Sequence, residues 1–202
     1  MNEPISDDLS RGSRADTAQD LTTSAAVFLD RDGTIIEDKG HIDRIEQVEF
    51  YPFTIEALRL LQKHYRLFIV TNQSGVGRGL VAAGAVARVN EYVANVLYDH
   101  GIGIARTYCC PHTTEERCAC AKPHPFFIRD AEKAFGLDIG RSYAVGDHPH
   151  DVAFGEAAGA AGLYVMTGHG RKHSNELKPG TRCFENLLDA ARWITSQTHP
   201  VP

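Results

Sequence analysis

Residues 25–34 read AAVFLDRDGT. An apolar run closes on an acid, Asp30, and a second acid, Asp32, follows before the turn-forming Gly33 and Thr34. A short continuous apolar run is the pattern of a strand buried on both faces, and this one delivers a carboxylate to its own C-terminal end. Two carboxylates so close repel each other unless a proton or a cation lies between them. Asp, Gly and Thr are also ordinary turn formers, so this stretch alone leaves both readings open.

Further strands of the same kind are expected at RLFIVTN (66–72), ARTYCC (105–110), SYAVGD (142–147) and GLYVMT (162–167). Helical spacing runs between them. Ile55, Leu58 and Leu61 mark one helix over 54–65, and Val86, Val89, Val93 and Leu97 mark another that stops at Gly101. PFFIRDAEKAFG (125–136), residues 149–159 and ENLLDAARWIT (185–195) supply three more. Buried strands alternating with helices predict an α/β fold, a Rossmann-like parallel sheet covered by helices on both faces. In such sheets ligands bind beyond the carboxyl ends of the strands, which is where Asp30, Thr71, Cys110 and Asp147 fall.

The whole chain has 202 residues, 43% hydrophobic and 23% charged, with a net charge of -5. That length and balance suit a single water-soluble domain. No general positive field exists to attract nucleic acid or anionic lipid, and no apolar run approaches the roughly 20 residues that span a bilayer. Residues 1–24 are polar and acidic, read as an unstructured tail without a secretory signal, which leaves 25–197 as the domain. A cytoplasmic monomer without nucleic-acid or membrane partners is expected.

Three stretches carry chemistry. GDHPHD (146–151) adds Asp147 and Asp151 to the first acid pair. Several acids at strand ends suit Mg²⁺, which takes few protein oxygens plus water and substrate phosphate. TNQSGVGRG (71–79) offers a hydroxyl, amides and a glycine-rich run of N–H groups for phosphate, but matches neither the nucleotide P-loop nor the dinucleotide fingerprint. Cys110, His112, Cys118 and Cys120, within the loop 109–121, have the composition of a closed structural Zn²⁺ site beside Lys122. Cys109 and Cys183 are expected as small buried fillers. His148 and His150 are set aside as ligands, since Mg²⁺ disfavours imidazole.

Four ordered blocks, DRDGT (30–34), VTN (70–72), Lys122 and GDHPHD (146–151), resemble the haloacid dehalogenase superfamily of phosphatases over roughly residues 25–168. The resemblance implies Asp30 as nucleophile, Asp32 as general acid and base, and Thr71 and Lys122 on the phosphoryl oxygens. It implies Mg²⁺ held by Asp30, Asp147 and the backbone carbonyl of Asp32, with Asp151 beside them. No insertion between Thr34 and Thr71, or between Thr71 and Lys122, is long enough for a large cap domain, so small phosphorylated metabolites are the expected substrates.

Among zinc-loop members, the chain resembles heptose 1,7-bisphosphate 7-phosphatases through TNQSG followed by Arg78, KPHP (122–125) and DKGH (38–41). That resemblance implies substrate contacts from Asp38, Lys39, Gly40, His41, Asn72, Gln73, Ser74 and Arg78. Two features differ: the five residues between His112 and Cys118 resemble the shorter loop of histidinol-phosphate phosphatases, and Ala121 stands where both groups carry an Arg. Arg171 and Lys172 sit where a lid would fit. The alternatives are a histidinol-phosphate or other small sugar-phosphate phosphatase, and, in another class, an inactive phosphate or metal sensor. A sensor has no need of both Asp30 and Asp32.

Overall fold

The computed structural model describes residues 24–197 together with the backbone of Ile5–Ser6. The expected tail over residues 1–24 therefore lies almost wholly outside the described residues. Seven strands form one sheet: β1 (Ile5–Ser6), β2 (Ala26–Leu29), β3 (Arg66–Asn72), β4 (Ile104–Cys110), β5 (Tyr143–Gly146), β6 (Ala161–Val165) and β7 (Arg182–Phe184). Their order is β1-β4-β3-β2-β5-β6-β7, with β1 antiparallel to β4 and every other pairing parallel. The five expected strands are β2 to β6, each within two residues of its expected bounds.

β2 lies at the centre, and all four of its residues are buried. Successive side chains on a strand point to opposite faces, so each face has its own core. Val27 and Leu29 join Ala57, Leu58 and Leu61 of α1 (Thr54–Leu61), Val89, Val93 and Leu97 of α3 (Ala83–Asp99), and Leu187, Ala190, Ala191 and Ile194 of α7 (Leu187–Ser196). Ala26 and Phe28 face the other way, onto Phe127, Ile128 and Ala131 of α4 (Phe126–Phe135) and Phe154 and Ala158 of α5 (Pro149–Ala158). Phe28 stacks on Phe68 at 5.0 Å between ring centroids and meets Phe154 edge-on at 6.4 Å. Burying one such aromatic contributes about 1.5–3 kcal/mol, so β2 is held rigidly from both sides.

From β2 the chain winds outward through β3 and β4, returns to β5 on the opposite flank, and continues to β6 and β7. The order reverses at β2, and a crevice opens there beyond the strand ends. Among the described residues, 30–53 contain only a 3₁₀ turn at Ile45–Gln47 and isolated bridges. Two short helices, α2 (Ser74–Gly77) and α6 (Gly170–His173), and the strands β1 and β7 were not anticipated from periodicity, because each is too brief to show any; β1 falls within the stretch expected as an unstructured tail and is paired with β4 instead. Cys109 is buried as expected, whereas Cys183 is exposed on β7. The expectation for Cys183 fails because β7 is a short edge strand with one flank open to solvent.

Candidate active site

Asp30 follows directly on β2, and its backbone N–H donates to the Val145 carbonyl of β5 at 2.9 Å. Asp147 follows directly on β5. The chain turns at Gly33 (φ +83°), where a side chain would strike the Asp147 carboxylate; a side chain at Gly168 (φ +52°) would strike the same carboxylate and the Gly33 backbone. Only glycine adopts such angles at no cost and leaves this space. Asp147 Oδ2 also accepts from the His169 N–H at 2.6 Å.

Lys122, from the loop between β4 and α4, reaches across the sheet end. Its Nζ lies 2.5 Å from Asp30 Oδ1 and 2.6 Å from Asp151 Oδ1, and donates to the Val70 carbonyl at 2.9 Å. Its backbone is held as firmly, with Asn72 Oδ1 accepting from Lys122 N–H at 3.1 Å and Asn72 Nδ2 donating to the Lys122 carbonyl at 3.3 Å. Burial alone would lower the Lys122 pKa, but Asp151 and Asp30 on either side raise it, so the ammonium stays charged.

The acids respond oppositely. Burial raises the Asp30 pKa well above the ordinary carboxylate value; Lys122 pulls it back, and Asp151, Asp147 and Asp32 push it further up. Asp147 is pushed up to about 7 by burial and then by Asp151. Oxygens of Asp30, Asp147 and Asp151 lie within 4.8 Å of one another. A hard divalent cation coordinated by such oxygens would offset that repulsion, and the donor set fits Mg²⁺.

Asp32 is turned from this group towards Thr71 and Gln73. Gln73 Nε2 donates to Asp32 Oδ2 at 2.7 Å and Thr71 Oγ1 to the same oxygen at 3.4 Å, while Arg31 grips both oxygens. Arg31 escaped the sequence reading: an arginine between two acids reads as solvated, yet it is fully buried.

The crevice has a volume of about 400 Å³ and is lined by Asp30, Asp32, Thr71, Lys122, Asp147 and Asp151, together with Asp38, Gly40, His41, Asn72–Ser74, His148, His150 and His169. Asp38 makes a tight turn with the Gly40 N–H at 2.7 Å and pairs with His169 Nδ1 at 3.3 Å. Two expected substrate contacts lie elsewhere. Lys39 points outward to Glu49 at 2.7 Å, and Arg78 lies near Glu115 of the cysteine loop. Arg171, considered for a lid, pairs with Glu185 at 2.6 Å. His148 and His150 line the crevice but belong to no ligand cluster among the described residues.

Behind Lys122, the sulfurs of Cys110, Cys118 and Cys120 lie 3.4–3.6 Å apart, and His112 Nδ1 is 3.3 Å from Cys120 and 3.6 Å from Cys110. Burial pushes the Cys120 thiol up to about 11 and raises Cys110 too. For Cys118 burial works upward, but hydrogen bonds from Cys110 and the Ala121 and Cys120 backbone bring it below the usual thiol value. Three thiols so crowded cannot all ionise without a cation, and the S₃N set fits a closed tetrahedral zinc site.

Comparison with known proteins identifies the family. A family model described as HAD-hyrolase-like matches residues 119–190. A probable D-glycero-D-manno-heptose-1,7-bisphosphate 7-phosphatase of Thermoplasma acidophilum is 40% identical over 146 residues, 72% of this chain and 90% of its own. The D-glycero-beta-D-manno-heptose-1,7-bisphosphate 7-phosphatase of Pasteurella multocida is 36% identical over 182 residues, 84% and 96% respectively. Among solved structures, the D,D-heptose 1,7-bisphosphate phosphatase of B. bronchiseptica, complexed with magnesium and phosphate, superposes with a TM-score of 0.79 at 30% identity, covering 86% of this chain and 99% of that one. With these identities spanning at least nine-tenths of each relative, the chain belongs to the heptose-bisphosphate phosphatase family of haloacid dehalogenase-like phosphatases.

Proposed function

We propose that this phosphatase removes the 7-phosphate of D-glycero-D-manno-heptose 1,7-bisphosphate in the cytoplasm through an aspartyl-phosphate intermediate. The observation that carries the mechanism is the convergence of Asp30, Lys122, Asp147 and Asp151 at one strand end; the relatives' names carry the substrate.

An Asp30 carboxylate oxygen attacks phosphorus, the bond from phosphorus to the sugar oxygen breaks, and Asp32 gives its proton to that oxygen. Water then attacks phosphorus of the aspartyl phosphate, passes a proton to Asp32, and frees inorganic phosphate and Asp30. Lys122 and the Thr71 hydroxyl meet the non-bridging oxygens, where negative charge concentrates in the transition state. Asp30, Asp147 and the Asp32 carbonyl would hold Mg²⁺, which when bound neutralises charge on the transferring group. Asp151 orients Lys122. Cys110, His112, Cys118 and Cys120 would hold Zn²⁺ in a structural role. Gly40, His41, Asn72, Gln73 and Ser74 border the space for the sugar, with Asp38 accepting from its hydroxyls.

Turnover of heptose 1,7-bisphosphate and histidinol phosphate, measured in parallel with Mg²⁺, tests the reading. Heptose bisphosphate is expected to be turned over with at least about tenfold higher kcat/KM. Histidinol phosphate equal or better would reassign the substrate, and no Mg²⁺-dependent turnover of any ester would leave a sensor instead.

A further inference from the structure

Arg31 leads the fully buried side chains by volume. Arginine almost never loses all contact with water unless every donor edge is met. Nε donates to Asp32 Oδ1 at 3.1 Å and Nη2 to Asp32 Oδ2 at 2.9 Å, a two-pronged pair that aligns the guanidinium and carboxylate planes. The remaining edge is taken by Asn90, whose Oδ1 accepts from Nη1 at 2.5 Å. Asn90 belongs to α3, 59 residues away, and is 5% exposed on the face that carries Val86, Val89 and Val93. An amide placed among those apolar side chains weakens the helix packing unless it has a partner, and its partner is Arg31.

We propose that Arg31 and Asn90 form a positioning pair for Asp32: α3, through Asn90, fixes the guanidinium plane, and that plane fixes where the Asp32 carboxyl group rests and to which it returns between its two proton transfers. The inference rests on the reading of Asp32 as proton donor and adds two residues that touch neither substrate nor metal. Gln73 and Thr71 meet one Asp32 oxygen only, so without Arg31 the group is free to turn about that contact. Lysine cannot replace the fork, because a point charge does not set a plane.

The test compares kcat/KM for p-nitrophenyl phosphate, whose leaving group departs without a proton, with that for glycerol phosphate, whose alkoxide needs one. This parameter reports steps up to leaving-group departure. Asn90→Ala is expected to lower it about tenfold or more for glycerol phosphate and less than about threefold for p-nitrophenyl phosphate. Arg31→Lys should show the same split, and Asn90→Asp, which keeps an acceptor oxygen, should recover most of the loss. If Asn90→Ala melts during purification, Arg31→Lys against Asn90→Asp makes the same comparison. Equal losses on both esters, or no loss, in the folded variants would overturn the proposal. Asp32→Asn is the control: if it fails to separate the two esters, the reading of Asp32 itself is wrong.

Discussion

Asn72 grips the backbone of Lys122 through both ends of its amide, so the lysine is placed by its main chain as well as by its ion pairs. Removing that grip should cost about two ordinary hydrogen bonds, and Asn72→Ala is expected to lower kcat about tenfold while leaving KM within about threefold. A large rise in KM with unchanged kcat would show instead that Asn72 acts on substrate. Asp30→Asn should abolish turnover and keep the circular dichroism spectrum; full activity in that variant would remove Asp30 as nucleophile. The two acids and the lysine were named in the sequence through the ordered blocks of a known superfamily, since a local Asp-Arg-Asp-Gly-Thr stretch or a lone lysine is equally compatible with a turn or a solvated surface. Arg31, Asn90 and the inward role of Asn72 were not. Each depends on a partner 50 or more residues away, and local pattern carries no information at that range.

The loop from Cys110 to Cys120 ends two residues before Lys122 and also touches α2: the Gly77 N–H donates to the Pro111 carbonyl at 2.8 Å. A metal held there would brace the lysine on one side and the chain after Thr71 on the other. Cys118→Ser should drop zinc from about one per chain to near zero, lower Tm by about 5–10 °C, and reduce kcat, since metal affinity at a structural site is folding free energy. Equal and negligible zinc in wild type and variant would refute the site. Strands β2 to β6 and the longer helices were readable from apolar runs and helical spacing, whereas β1, α2, α6 and β7, each only two to four residues long, carry no such pattern.

Across the whole molecule, the buried acids tie stability to pH. Asp147 titrates at about 7 in the folded chain, against about 4 in an unfolded one. Between those values the folded state holds a proton that the unfolded state has released, so stability falls as pH rises, with the loss complete above about 7. In magnesium-free buffer Tm should therefore be higher at pH 5.5 than at pH 8, and saturating Mg²⁺ should shrink the difference by taking the proton's place. A Tm that rises with pH would contradict the raised value. Among the described residues no helix is long and apolar enough to cross a membrane, in keeping with the composition. The sequence by itself determined the α/β alternation, the acids at the ends of β2 and β5 and the set of three cysteines and one histidine, because apolar period and ligand chemistry are local properties. Only the tertiary structure decided which cations face the crevice: it turned Lys39 and Arg171 outward to acids of their own, left Arg78 beside the cysteine loop, and buried Arg31 against Asn90. A charged side chain goes where its counter-charge and desolvation balance, and that balance exists only once the chain has folded.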